Sequence, residues 1–279
     1  MMEPRPFERE NAYKKLEILK NDLKNLEKIA VAYSSGVDST FLLKVSHEAL
    51  KHEALAITVH SHSFPERELR EAREFCGQEG IRQIVCDFDE LAVPGFCENP
   101  PNRCYLCKKA LFQKIQETAG KHGIFQIAEG SNADDERDYR PGMKAIAELE
   151  ILSPLKKAGL TKEEIRFLSR EYGLSTWDKP SFACLSSRFA YGESITREKL
   201  RMVEEAELLL WKLGFTQVRV RVHGTLARIE IPKEEFNRLI CEENIAQITA
   251  ELKQNGFSYV TMDLAGYRMG SMNETLQAL

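Results

Sequence analysis

The 279-residue chain has no uninterrupted apolar run of the length that a bilayer crossing requires. Its first residues, MMEPRPFERENAYKKLE, carry too much charge for a secretory signal. Both absences point to a cytoplasmic protein with no membrane partner. Positive charge is not in excess: 39 Lys and Arg stand against 43 Asp and Glu, so there is no global basic field to hold nucleic acid non-specifically. No basic, aromatic-rich stretch of the kind that binds RNA makes up for it, and no nucleic-acid partner is expected. Two familiar nucleotide fingerprints are missing, since no GK[ST] closes a glycine loop and no GxGxxG follows a strand. Repeats and low-complexity tracts are absent too. The cysteines are Cys76, Cys86, Cys97, Cys104, Cys107, Cys184 and Cys241. An odd number in a chain of this size speaks against a disulfide framework and for thiol, metal or cluster chemistry.

What is present is a rhythm. After an amphipathic opening helix, roughly Asn11 to Leu26, apolar bursts at 29–33, 54–60, 81–88, 124–130 and 151–154 alternate with helical patterns. This alternation predicts an α/β fold with a doubly wound parallel sheet, whose ligands collect at the carboxyl ends of the strands. LTKEEIRFLSREYG reads as a further helix, with Thr161 as N-cap and Gly173 as its stop. Past about residue 190 a long helix (195–213) leads to QVRVRVHG, LARIEI and YVTMDLAG, the pattern of a smaller C-terminal α+β domain. The expected domains are 1–189 and 190–279, joined through SFACLSSRFAYGES.

VAYSSGVDST closes the first strand and opens the first sheet-covering helix. Amides of residues 36 to 40, among them those of Gly36 and Val37, should face outward where the helix start favours an anion. Ser34, Ser39 and Thr40 add hydroxyl donors, and Asp38 is placed to hold Mg²⁺ against a polyphosphate such as that of ATP. The bland reading is an ordinary helix cap, because Ser or Asp before a helix is common.

Cys104 and Cys107, in NPPNRCYLCKKALF, are spaced to lie on one helical face, beside Arg103 and a helix start that should lower their thiol pKa values. Cys184 lies in the linker with Arg188 nearby and is the best nucleophile candidate. Cys76, Cys86 and Cys241 fall in apolar patterns and are expected in the core. Three thiolates suit a [4Fe–4S] cluster with one iron free of protein ligand. Zinc would want a fourth donor, and Cys97 or His122 could supply it. His60 and His62 close the second strand without convincing metal spacing. Trp177 reads as packing or as a gate, and the stripe Met202, Ala206, Leu209, Leu210 as a helix core face.

VAYSSGVDST resembles the SGGxDS loop of the N-type ATP pyrophosphatases (the PP-loop superfamily), with Ser35 in place of the first glycine. A side chain at that position speaks against a need for positive φ there. Together with RCYLCKK, EGSNADDERDYRPG, PSFACLSSRFAYG, VRVRVHGTLARIEI and VTMDLAGYRMGS, it resembles the LarE family in order and spacing across nearly the whole chain. Members of that family are ATP-dependent sulfur transferases that convert pyridinium-3,5-biscarboxylic acid mononucleotide to its thiocarboxylic form, for the nickel-pincer nucleotide cofactor of lactate racemase. They assemble as homo-oligomers. The resemblance implies that ATP adenylates a substrate carboxylate, pyrophosphate leaves, and a sulfur species displaces AMP.

In one branch the cysteine matching Cys184 gives up its own sulfur. In the other, three cysteines hold a [4Fe–4S] cluster whose free iron carries an extra sulfide, and Cys104 and Cys107 place this chain with the second branch. Sulfide or another sulfur donor would then sustain turnover. Arg219 and Arg221 leave one strand face, where they could bind substrate phosphate or carboxylates. By the resemblance Arg188, Glu230 and Arg268 are similarly placed, and Arg188 is expected to bind substrate or nucleotide with Arg219 and Arg221. Asp134, Asp135 and Asp138 are expected near nucleotide or Mg²⁺. The rival readings are a tRNA thiolase of the same superfamily, an amidating relative such as NAD synthetase, sacrificial sulfur donation from Cys184, and a nucleotide-binding protein without catalysis.

Overall fold

The computed structural model describes residues 8–137, 142–180, 183–268 and 270–271. They form two compact units, each built from two pieces of chain. The larger comprises the described residues of Met1–Phe88 and Lys108–Phe182, and the smaller those of Asp89–Cys107 and Ala183–Leu279. The division therefore differs from a single cut at 189/190. Residues 89–107 join the C-terminal piece, because Asn99 and Arg103 bond to backbone carbonyls of residues 186–190.

The larger unit runs α1 (Arg9–Lys24), β1 (Ile29–Ala32), α2 (Val37–Leu50), β2 (Ala54–His60), α3 (Glu66–Glu79) and β3 (Gln83–Asp87). It continues with α4 (Arg103–Gly120), whose first turn belongs to the smaller unit, then β4 (Ile127–Ala128), α5 (Gly142–Glu148), α6 (Pro154–Lys157) and α7 (Lys162–Glu171). Its four strands are all parallel, in the order β3-β2-β1-β4.

Side chains alternate across a strand, so each strand feeds two cores. Ile29, Val31, Ala54 and Ala56 pack with α1, α2 and α7 on one face. Ala30, Leu55 and Ile57 pack with Phe112, Ile115, Ala119 and Ile146 on the other. Helices on both faces of a parallel sheet make it doubly wound, as the alternation predicts. The expected strand at 151–154 shrinks to one bridge between Leu152 and Ala128. Pro154 lacks an N–H and opens α6 at once, which ends the pairing.

The smaller unit adds α8 (Arg197–Lys212), β5 (Arg219–His223), β6 (Leu226–Glu230), α9 (Phe236–Leu239), α10 (Glu242–Gln254) and β7 (Tyr259–Met262). β5 and β6 form an antiparallel hairpin with Gly224 at φ +60 in its turn, and β7 joins β6 in parallel. The buried stripe of α8, including Met202, Ala206, Leu209 and Leu210, supplies its core face. No helix among the described residues is long and apolar enough to cross a membrane.

α7 begins with a full capping box: Thr161 Oγ1 accepts from Glu164 N, and the Glu164 carboxylate accepts from Thr161 N. Gly173, at φ +66, follows its last turn. Thr161→Ala should cost about 1 kcal/mol of stability, read as a lower urea midpoint with an unchanged slope.

Candidate functional site

The carboxyl end of β1 turns through Tyr33–Gly36 into α2, next to β4, where the strand order reverses. In doubly wound sheets that crevice is where ligands sit. The N-cap of α2 is Gly36, and no side chain caps the helix. The ordinary-cap reading thus has no side-chain bond behind it, and the first amides present partial positive charge to an outside acceptor. The cradle is one amide shorter than expected, since Thr40 N bonds Gly36 O at 2.9 Å and the Thr40 side chain is fully buried. The hydroxyls of Ser34 and Ser39 lie 3.1 Å apart beside it.

Asp38 Oδ2 accepts from Lys162 Nζ at 2.6 Å, while Oδ1 is buried without a partner. Burial pushes the Asp38 carboxyl pKa up, and Lys162 opposes the rise. An orphaned buried carboxylate oxygen is costly, and a Mg²⁺ ion bound with polyphosphate would satisfy it, so this donor fits the ion. Among the described residues no three His, Cys, Asp or Glu are grouped to hold a metal, so the remaining oxygens would come from ligand and water. A Cβ at Gly130 would stand 3.0 Å from Ser39 N, so glycine is what lets the end of β4 approach the helix start. Asp134 accepts from Lys162 N, and Asp135 accepts from Asn132 N. Asp138 lies outside the described residues.

Ser35 overturns the expectation drawn from its side chain: its φ is +54. The left-handed region costs an L-residue about 1–2 kcal/mol. Here the Ser35 hydroxyl, buried, lies 2.7 Å from Ser34 O and 2.8 Å from Glu68 Oε2. Hydrogen bonds to charged groups contribute about 1.5–3 kcal/mol, enough to offset the strain. Lys179 Nζ donates to Glu68, to Glu71 and to the Ser35 carbonyl. His60 makes no metal pair with His62; its ring bridges Asp87 and Glu66, each at 2.9 Å. Trp177 is partly exposed, with the Arg170 guanidinium 5.1 Å from its ring centroid.

The smaller unit gathers the thiols. Cys104 and Cys107 stand in the first turn of α4, and Cys184 immediately precedes a 3-10 turn, Leu185–Arg188. The link is Arg103, which is buried. Its Nη1 donates to Asn99 Oδ1 at 2.6 Å and Ser186 O at 2.7 Å, and its Nη2 to Cys104 Sγ at 3.5 Å. Asn99, at φ +51, donates to Ala190 O at 2.6 Å.

The expected lowering of thiol pKa does not hold for Cys107 or Cys184. Burial pushes the Cys107 thiol far up, and the neighbouring Cys184 and Cys104 add to it. Desolvation also raises Cys184, against the pull of Arg103. One guanidinium does not outweigh lost hydration. Cys184 is nevertheless solvent-exposed, and that exposure decides its reach to a reagent.

Cys97 Sγ donates to Leu91 O, and His122, in the larger unit, bonds Arg82 through Nδ1. Cys76 and Cys86 are buried as expected. Cys241 is not: it is exposed at the N-cap of α10, because it falls between two helices rather than within one.

Arg188 is fully buried. Its Nε and Nη2 bind Glu207 at 2.8 and 2.9 Å, and its Nη1 donates to the carbonyls of Ala183 and Cys184. All three nitrogens have protein partners, which places Arg188 behind the thiol loop as its support. Arg221 is held by Glu230, Ser187 O and Ser271. Arg219 donates to Val218 O and lies 5.4 Å from the Tyr267 ring centroid. Burial first, then Arg188, lowers its pKa to about 10, so it stays charged at neutral pH. Glu230 is fully buried, and Arg268 pairs with Asp263. Sequence reading missed Glu68, Lys162, Lys179, Asn99 and Glu207. Only Asn99 carried a signal, since Asn tolerates the left-handed region and sits before a Pro-Pro turn.

No protein-family model matches the chain. Over 262 residues it is 42% identical to an uncharacterized protein of Synechocystis sp., covering 94% of this chain and 98% of that one. Over 255 residues it is 35% identical to the pyridinium-3,5-bisthiocarboxylic acid mononucleotide synthase of Lactiplantibacillus plantarum, covering 91% and 92%. A tRNA-specific 2-thiouridylase of Rickettsia felis is 28% identical over 191 residues, but covers 54% of this chain and 52% of its own length.

Arg188→Met strands the buried Glu207 carboxylate and should cost about 3–5 kcal/mol. The double variant with Glu207→Gln removes the stranded charge and should recover most of that loss in urea unfolding.

Proposed function

The chain belongs to the LarE family of sulfur transferases, and on that footing we propose that it converts pyridinium-3,5-biscarboxylic acid mononucleotide to its thiocarboxylic form. ATP would activate each carboxylate at the loop Ser34–Thr40, and the incoming sulfur would be carried on a [4Fe–4S] cluster bound by Cys104, Cys107 and Cys184. The observation that supports this most is that the three thiols lie in one unit, where Arg103 donates both to Cys104 Sγ and to Ser186 O, two residues past Cys184.

At the loop, a substrate carboxylate oxygen attacks the α-phosphorus of ATP and pyrophosphate departs. The uncapped amides at the start of α2 would receive the polyphosphate charge, and the unpartnered oxygen of Asp38 is the one that would hold Mg²⁺. Activation turns a poor leaving oxide into AMP, so a carbon–sulfur bond can form as the carbon–oxygen bond to AMP breaks. When bound, the cluster supplies the sulfur for that exchange. Three thiols leave a tetrahedral zinc one donor short, whereas a [4Fe–4S] cluster could be held by three. In a cubane cluster each thiolate ligates its own iron.

Arg103 balances the thiolate charge that ligation requires. Arg188 fixes the Cys184 carbonyl, and with it the loop that carries the thiol. Arg219, crowded by other cations, would be relieved by an anion, which suits it to the substrate phosphate, while Arg221, with all three nitrogens engaged by Glu230, Ser187 O and Ser271, backs it.

The thiouridylase likeness spans about half of each chain, so the substrate is taken from the full-length relative. Sacrifice of Cys184 is the competing source of sulfur, and its exposure makes the distinction measurable. Purified anaerobically, the wild type should carry iron and acid-labile sulfide in about equal amounts, and Cys104→Ala should lose both. With ATP and the biscarboxylate, pyrophosphate should form, and Cys184 should keep its mass after turnover. Loss of one sulfur mass from Cys184 in iron-free protein would falsify the cluster reading.

A further inference from the structure

Resting on the ATP reading of the loop, we infer that Glu68 is a positioning residue for the nucleotide loop, the counterpart that lets a serine occupy a glycine conformation at position 35. Three features meet here, all within the larger unit. Ser35 is held at φ +54 with its side chain buried. Its hydroxyl has a single proton, shared between its neighbour's carbonyl, Ser34 O, and the Glu68 carboxylate. Glu68, itself 1% exposed, does not wander, because Arg67 binds its other oxygen at 2.9 Å and Lys179 binds the same oxygen as Ser35 at 2.6 Å.

Lys179 closes the circuit by donating to the Ser35 carbonyl at 3.1 Å, so the peptide on the far side of the strained residue is fixed as well. Lys179 is in turn placed by Arg166, which donates to the backbone carbonyls of Trp177 and Lys179 at 2.7 and 2.8 Å. Two carboxylates, Glu68 and Glu71, face one ammonium, and Arg67 approaches both, so the charges balance without any of the four reaching the loop's anion-facing amides.

A charge-neutral bracket with Glu68 buried at its centre therefore grips Ser35 by hydroxyl and carbonyl, and the orientation of Gly36 and the amides after it follows from that grip. Glycine at position 35 would adopt the same φ unaided. The residue at 35 and the carboxylate at 68 are therefore coupled: serine requires Glu68, and glycine makes it dispensable.

The test is a cycle of Ser35→Gly, Glu68→Gln and the double variant, with Ser35→Ala alongside. Affinity for Mg-ATP is measured by calorimetry, and amide hydrogen exchange is followed over residues 34–40. In the serine background Glu68→Gln should weaken ATP binding about tenfold, the loss of a hydrogen bond to a charged partner. In the glycine background the same substitution should change it by no more than about twofold, the limit of additivity for uncoupled sites. Ser35→Ala keeps the β-carbon and loses the hydroxyl, so it should bind worse than Ser35→Gly. A demand for a small residue alone would leave these two alike.

Loop protection should fall in Glu68→Gln and return in the double variant whether or not ATP is present. An equal effect of Glu68→Gln in both backgrounds, by both readouts, overturns the inference. Wild type that binds no ATP while the exchange cycle shows the coupling sinks the ATP reading and leaves this one standing. If Glu68→Gln does not fold, Ser35→Ala against wild type decides: it keeps Glu68 and its partners and removes only the hydroxyl, so ATP binding and loop protection equal to wild type overturn the inference.

Discussion

A guanidinium that leaves water must find an acceptor for its N–H groups, and among the described residues the smaller unit holds four that have done so: Arg103, Arg188, Arg219 and Arg221. Among their acceptors are backbone carbonyls of the loop that carries Cys184. Arg188 takes Ala183 O and Cys184 O, Arg103 takes Ser186 O, and Arg221 takes Ser187 O. Four consecutive or nearly consecutive peptides are thereby pinned from three directions. An irregular loop has no ladder of its own to satisfy its carbonyls, and here the arginines stand in for one. The thiol on that loop can be exposed without being loosely placed.

The nucleotide loop solves a similar problem with a different device. Its strain is concentrated in one residue, Ser35, and is offset by a carboxylate from α3 and a lysine from beyond α7. Lys162, the first residue of α7, reaches Asp38 from the same helix whose Arg166 fixes the Lys179 segment. One short helix, secured by its capping box, thus sets the electrostatics on both sides of the loop. The protein's own charges are neutralised against each other, and the loop's amides are left for a ligand, as the proposed polyphosphate would require.

Much of this was legible in the sequence, where local pattern determines the outcome. The burst at 54–60 is β2 to the residue, and the glycine-serine stretch does open α2. The three cysteines were recognisable because CxxC on a helix start and a thiol in a linker are both unusual placements. Four things were not legible. Ser35 reads as a residue that forbids positive φ, because its compensation sits at Glu68, far away in sequence. Arg188 reads as a ligand for substrate, because burial is invisible in a motif. The pKa direction of the thiols depends on how much water the folded chain removes, and a nearby arginine in sequence says nothing of that. The membership of residues 89–107 escaped for the same reason, since Asn99 finds its partners some ninety positions away.

That last feature bears on how the protein is made. Asn99 and Arg103 reach carbonyls that lie 83 to 91 positions further along the chain. At a synthesis rate of about 5–20 residues per second, the segment carrying Cys104 and Cys107 leaves the ribosome on the order of ten seconds before its partners exist. During that interval the first two thiols have neither their third companion nor the hydrogen bonds that Arg103 later makes to hold them. Order of emergence therefore means that any species held by all three thiols can form only after the chain has been made at least as far as Cys184, and that the pair of cysteines spends its first moments as an unguarded chelate open to whatever metal or oxidant is at hand.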